Sequence, residues 1–400
     1  MIRLFIILSL LASSYQAQAI SWKGFEEFKT DVVLNPKRAA GHAREFMDAL
    51  KKEGTPLVEG NRVTFIYENT DPRDTRPVML VGDFNYWRKS DQWYDGMLKL
   101  PGTNIYYQSF EFPPDARLDY QFVIGDSWIL DPYNPDTLMS GYGAKSELNM
   151  PSYHEAMEIA RNPDISHGEL REAALFSRIL GETRAFQIYT PANFDPKQNH
   201  PAIYVHDGYD FLSFAQLPNV LDNLIHQIRI PPVIAIFIPP VHRGEEYIKE
   251  NKYGHFIVKE LVPYIDRHYP TRRDPRFRAT AGISAGGAIS LNLGWTHPEV
   301  FGCVISQSGV ANIADGRNEY VTYFAAQPRK NLKLYIDVGT FEWPGLLESN
   351  RLLKRVLAEK HYSHLYKEFH EGHSWGSWRS HIKYGLEFLW GREEEDEDED

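Results

Sequence analysis

One hexapeptide limits what this chain can fold into. Gly282-Ile283-Ser284-Ala285-Gly286-Gly287 sits between an apolar-ended segment, 277–281, and a helix-like stretch, 288–295. A G-x-S-x-G pattern in that setting predicts a strand, a tight turn and a helix, with the serine lifted out of the turn. The serine has to project from a strained backbone, and a side chain at Gly282 or Gly286 would strike the neighbouring elements. A glycine-rich turn that merely packs a helix on a sheet is the alternative, and the strand-turn-helix context favours a nucleophile at Ser284. The surrounding sequence agrees. Continuous apolar runs at 202–205, 233–238, 304–305 and 334–336 read as strands buried on both faces, hence a mostly parallel sheet covered by helices. Stretches 254–268 and 345–361 read as crossover helices.

A serine hydroxyl is a poor nucleophile at neutral pH. It needs a base, and the base needs an acid to hold its tautomer. In this arrangement the chain order is Ser, acid, His. Of 15 histidines, His373 lies on a glycine-flanked loop after the strand-like run 364–369, where the base is required. His370 is the rival but sits nearer the strand end. The acid belongs on the loop after 334–338, which favours Glu342. Asp337, within the strand, is the alternate. The tetrahedral intermediate needs two backbone N–H donors. Ala285, directly after the nucleophile, supplies one, and Tyr209, after the turn at Gly208, supplies the other. His206 reads as structural. The His370/His373 and His361/His364 pairs have ligand-like spacing, but no acidic third ligand is placed beside them. No metal and no cofactor is therefore expected.

The rest of the chain divides by composition. Arg3, an apolar stretch and Ala17-Gln18-Ala19 have the shape of a secretory signal peptide over 1–19, which predicts export without a membrane anchor. Residues 20–57 read as one or two amphipathic helices. From 58 to 152, alternating runs at 63–67, 78–81, 106–112 and 118–124 between turn residues predict a small β-sandwich. Residues 153–180 read as a helical or irregular connector, 181–392 as the α/β domain, and 393–400 as a disordered acidic tail. That tail dominates the net charge of −11, because without it 43 basic residues face 46 acidic ones. A near-neutral body gives no reason to expect a nucleic-acid partner. The single cysteine, Cys303, excludes an internal disulfide. Trp343 follows the acid, and Trp375 and Trp378 follow the base. Their indoles suit an aromatic acyl group, and core packing explains them equally well.

These residues resemble the esterase D branch of the α/β hydrolases, and within it the enterochelin-esterase-like group. The similarity runs through 183–191, His206-Asp207-Gly208, Arg243 with Glu246-Tyr247, 260–266, the Ser284 hexapeptide, Ser306-Gln307-Ser308-Gly309, and Gly372-His373 with Trp375 and Trp378. It implies an α/β-hydrolase domain behind an immunoglobulin-like sandwich, and a serine esterase acting on a small-molecule or polysaccharide ester. Catecholate-siderophore esters compete with feruloyl or acetyl esters of plant polysaccharide, and acyl transfer to another acceptor stays open. The sandwich resembles the modules found in glycogen-active enzymes, through Val81-Gly82-Asp83-Phe84-Asn85-Tyr86-Trp87, Tyr120-Gln121-Phe122 and 128–132. In glycan-binding members Trp87 and Trp128 would be the stacking residues. That family often has a lysine where Gln121 stands and an asparagine near Ser146. The resemblance thus leaves three roles for the sandwich: a pocket wall or lid, a glycan binder, or a scaffold. A non-catalytic glycan-binding protein with a relic hydrolase domain is the reading from a different class, and a complete triad argues against it.

Overall fold

The computed structural model describes residues 22–71, 73–88, 96–249, 251–310 and 319–391. The expected signal peptide and the acidic tail lie outside them. No helix among the described residues is long and apolar enough to cross a membrane.

The apolar runs of the second half become an eight-stranded sheet. Its strands are β1 (Glu169–Ser177), β2 (Glu182–Thr190), β3 (Ala202–His206), β4 (Ile234–Ile238), β5 (Arg278–Ile283), β6 (Cys303–Gln307), β7 (Lys333–Gly339) and β8 (Ser363–Phe369). They lie in the order β1-β2-β4-β3-β5-β6-β7-β8. The first two pairings, β1 with β2 and β2 with β4, are antiparallel, and every later one is parallel. Strand periodicity sends alternate residues to opposite faces. On one face Ile203, Val205, Ala235 and Phe237 pack beneath helices Leu217–His226 and Trp375–Trp390. On the other, Tyr204, Ile234 and Ile236 pack against Val262–His268 and one side of Ala285–Thr296. Cys303 is buried in this sheet, and burial pushes its thiol up to about 12. Because β3, β5, β7 and β8 point the same way, the loops that follow them gather at one edge of the sheet.

One expectation needs correction. The 153–180 connector is not helical or irregular throughout, because β1 occupies Glu169–Ser177 and pairs along its full length with β2. Its side chains are mostly exposed at the sheet edge, so Glu169, Arg171 and Glu172 conceal the strand from a reading based on apolar pattern.

The first half holds two antiparallel sheets over one core. One contains Leu57–Glu59, Arg62–Glu68, Ile105–Glu111 and Leu98–Lys99, the other Val78–Gly82, Arg117–Ile124, Gly143–Asn149 and Thr137–Ser140. Val63, Phe65, Leu80, Leu118, Tyr120 and Phe122 meet between them. Helices Trp22–Leu34 and Ala39–Glu53 cover the outer side of the first sheet, where Phe25, Met47 and Leu50 pack on Ile66 and Ile105. Strand Arg117–Ile124 is buried along its whole length. Leu118, Tyr120, Phe122 and Ile124 enter the sandwich core, and Arg117 of the alternate set meets the hydrolase domain.

Candidate active site

Ser284 stands between β5 and helix Ala285–Thr296 with φ 54° and ψ −119°. This is a left-handed conformation that a non-glycine residue holds only when its surroundings over-determine it. Here Ser284 N–H donates to Gln307 O at 2.9 Å, and Ser284 O accepts from Val310 N at 3.1 Å and Ala288 N at 3.1 Å. A Cβ on Gly282 would lie 2.4 Å from the Gly286 carbonyl, and one on Gly286 would lie 2.8 Å from the Asp207 carboxylate. The glycines thus let strand, helix and the β3 loop close around the serine.

His373 lies on the loop after β8. Its Nδ1 is 2.6 Å from Glu342 Oε2, so with Nδ1 protonated it donates to that carboxylate. Glu342 is buried on the loop after β7, and its Oε1 accepts from Ser308 Oγ and from Gly339 N. Trp378 Nε1 in turn donates to Ser308 Oγ at 2.8 Å. The imidazole sits between the rings of Trp343 and Trp378, with centroids at 4.6 and 4.8 Å. The alternates fall elsewhere. Asp337 accepts from Gln307 Nε2 at 3.0 Å, and burial pushes its carboxyl up to about 6. His370 is half-exposed and pairs with Asp115 of the sandwich at 2.7 Å. His206 is enclosed between the Tyr253 and Thr280 hydroxyls, and burial holds it down to about 3, so it is neutral. No group of three or more His, Cys, Asp or Glu side chains suited to a metal occurs among the described residues.

Ser284, Glu342 and His373 open into one cavity of about 1060 Å³. The serine and histidine side chains share it without a hydrogen bond between them, a contact that commonly tightens only once substrate is bound. Ala285 and Tyr209 are the first and second residues of their helices, positions whose N–H has no intrahelical acceptor. The Tyr209 ring itself points to a separate hollow beside Ala185 and Phe186. Beneath the serine turn, Arg243 donates to both Asp207 oxygens at 2.7 and 2.8 Å, and it also lines the cavity. Trp343, Trp375 and Trp378 line it as well. Trp375 and Trp378 are nearly buried, packed edge-to-face at 5.3 Å, whereas Trp343 is 43% exposed.

The sandwich supplies the remaining wall through Trp87, Gln121, Trp128 and Lys145. The two indoles are 6.3 Å apart and tilted by 31°. Lys145 Nζ lies 4.8 Å from one ring centre and 5.7 Å from the other, and donates to Gln121 Oε1 at 2.6 Å. The cation absent at position 121 is therefore delivered from a neighbouring strand. Ser146 plays no part in this wall: it is buried and accepts from Asp131 N. Sequence reasoning missed Lys145, Ser308 and the cavity position of Arg243. Ser308 had one local signal, a place in Ser306-Gln307-Ser308-Gly309 just beyond β6. Lys145 had none, since a lysine in an alternating strand reads as solvent-facing.

Comparison with known proteins agrees with this fold. Residues 177–389 match the esterase family model, described as "Putative esterase". The chain is 27% identical over 236 residues to the uncharacterized protein YjcH of Bacillus subtilis, a match covering 55% of this chain and 97% of that protein. It is 24% identical over 351 residues to the iron(III) enterobactin esterase of Escherichia coli K12, covering 82% and 84%. The ferric enterobactin esterase of Salmonella typhimurium superposes with a TM-score of 0.72 at 23% identity, over 84% of this chain and 96% of that one. The matched segment begins at the end of β1 and spans every strand that carries the serine, carboxylate and histidine loops. This chain belongs to the esterase family of α/β hydrolases and is a carboxylic ester hydrolase.

Proposed function

We propose that the protein is an exported serine esterase in which Ser284 is the nucleophile, His373 the base and Glu342 its orienting acid, acting on a bulky aromatic ester of the catecholate-siderophore type. One observation carries the reading: the strained serine and the His373–Glu342 pair open into a single cavity whose far wall is aromatic, cationic and contributed by another domain. Export is supported by the pattern at 1–19. In the reaction, Ser284 Oγ attacks the ester carbonyl while His373 Nε2 takes its proton. The N–H groups of Tyr209 and Ala285 receive the oxyanion. The carbon–alkoxide bond then breaks, and His373 returns the proton to the leaving alcohol. Water repeats the sequence on the acyl-enzyme and releases the acid. Glu342 holds Nδ1–H so that Nε2 faces the serine, and it stabilises the imidazolium.

The cavity favours an acyl group with a flat face and negative charge. Trp343 offers an exposed ring beside the base, and Lys145 stands over the Trp87 and Trp128 rings. Relatives called enterobactin esterases align over both domains of this chain, whereas a ferulic acid esterase structure aligns with only 56% of it. The second reading, a feruloyl or acetyl ester of a polysaccharide, rests on the Trp87–Trp128 pair as a sugar-stacking platform. A panel of catecholoyl-serine, feruloyl-oligosaccharide and acetyl-xylan esters separates them. We expect the highest kcat/KM on the catecholoyl ester. Lys145→Ala should lower that value about 5- to 30-fold while changing nitrophenyl acetate hydrolysis less than about twofold. A higher kcat/KM on the sugar esters, insensitive to Lys145, would transfer the substrate class to the second reading.

A further inference from the structure

The loop that carries His373 is held by the other domain. Gly372 and Gly376 bracket the histidine, and neither has a positive φ. What each lacks is space. A Cβ on Gly372 would lie 2.0 Å from the Asp83 carboxyl carbon, and one on Gly376 would lie 2.0 Å from the Arg117 guanidinium carbon. Both intruding side chains belong to the sandwich. Arg117 is 1% exposed, and its Nη1 donates to Ser374 Oγ at 2.7 Å, one residue after the base. Its backbone N–H donates to His370 O at 3.1 Å, three residues before the base. The guanidinium is itself fixed by Asp119 at 2.5 Å and by Glu147. Asp83 is fixed by Trp87 Nε1 at 2.9 Å and Asp119 N at 2.8 Å.

The acid's loop is tied to the same body. Phe341 N donates to Glu371 O at 3.0 Å, and the Phe341 ring packs on Phe112 of the sandwich at 5.8 Å. The hydrolase fold does not require such a neighbour, since YjcH is matched over 97% of its length by 55% of this chain. The docking is a device of this two-domain protein.

We propose that Arg117 and Asp83 are positioning residues for the general base: wedged into the gaps at Gly376 and Gly372, they hold the 370–374 loop so that His373 stays aligned with Glu342 and Ser284. This rests on the triad reading above. It differs from a lid, which would matter only for large substrates. A wedge governs every ester, because displacing a catalytic group by about 1 Å can cost on the order of 100-fold in rate.

The test uses the full chain with nitrophenyl acetate, an ester too small to need the sandwich wall. Ser374→Ala, Gly376→Ala and Arg117→Gln should each lower kcat about 10- to 100-fold with KM nearly unchanged, and Ser374→Thr, which keeps the Oγ, should restore most of the loss. Labelling of Ser284 by a fluorophosphonate should slow in step with kcat. The far-downfield proton of His373 Nδ1–H should broaden or vanish in the proton spectrum. If Arg117→Gln does not fold, the two loop-side variants decide. Wild-type kcat in Ser374→Ala and Gly376→Ala, with native melting, overturns the proposal. Failure of the triad reading looks different: Ser284→Ala would then retain activity whatever the loop variants do.

Discussion

The Ser284 and His373 turns of this esterase are held in place for different reasons. The Ser284 turn is closed by its own domain, through the Gln307 carbonyl at the end of β6, the β3 loop and glycines that touch neighbouring backbone and Asp207. The His373 loop is closed by a second domain, whose Arg117 and Asp83 fill the spaces its glycines leave. A glycine beside a catalytic residue can therefore mean two things. Beside Ser284 it permits a close approach inside the fold, and beside His373 it leaves a socket for a partner domain. The difference also divides the labour. On the proposed reading, the hydrolase domain supplies all three reacting side chains, and the sandwich supplies the frame for one of them and a wall for the substrate.

The largest expected effect would break the comparison at its root. Ser284→Ala and His373→Ala should each reduce kcat on nitrophenyl acetate by about 10⁴- to 10⁶-fold with circular dichroism unchanged, because the two act as one unit. A Ser284→Ala variant keeping a tenth of wild-type activity would move the nucleophile elsewhere, with Ser306 and Ser308 next to test. A smaller loss, about 10²- to 10⁴-fold, is expected for Glu342→Gln, which leaves the imidazole in place but removes its anionic partner. Asp337→Asn should stay within a few-fold, since Asp337 bonds Gln307 rather than His373. The reverse order of losses would give the acid role to Asp337.

Stability separates the two kinds of glycine. Gly282→Ala drives a methyl into the Gly286 backbone, which has no flexible end to move aside, and should cost about 2–3 kcal/mol in denaturant unfolding. Gly372→Ala meets a side-chain carboxylate and should unfold at a higher denaturant midpoint than Gly282→Ala. Equal midpoints would erase the distinction.

The smallest effect concerns pH. Burial, together with the neighbouring Asp119, pushes the Asp83 carboxyl up to about 7. The folded state then holds a proton that the unfolded chain releases near pH 4. Asp83 therefore withdraws stability as pH rises from about 4 to 7, the opposite of a salt-bridged carboxylate. Asp83→Asn removes the titration and keeps the shape. The melting temperature of the wild type relative to this variant should fall across that window, and a difference that rises with pH would contradict the buried state assigned to Asp83.

Much of the catalytic domain could be read from sequence because its chemistry is local. β5 and the following helix are contiguous with the Ser284 turn, Glu342 lies a few residues beyond the largely apolar strand β7, and His373 lies on a glycine-flanked loop a few residues beyond β8. The antiparallel edge strand β1 was hidden by its exposed polar residues. The role of Arg117 was hidden more deeply. In strand Arg117–Ile124, Leu118, Tyr120, Phe122 and Ile124 alternate with Arg117, Asp119, Gln121 and Val123, a pattern that fits a half-solvated strand. Yet Arg117, Asp119 and Gln121 are buried, and their partners Ser374, Asp83 and Lys145 are scattered through the chain. Alternation predicts two faces, but it does not say whether the polar one meets water or another domain.

The most direct test of the account is to label the full-length protein with a fluorophosphonate and map the adduct by peptide mass spectrometry. The account predicts one adduct, on Ser284, formed at a rate that Ser374→Ala lowers about 10- to 100-fold and His373→Ala lowers further. An adduct on another serine of a fully active enzyme, or an active enzyme that takes no label, would contradict it.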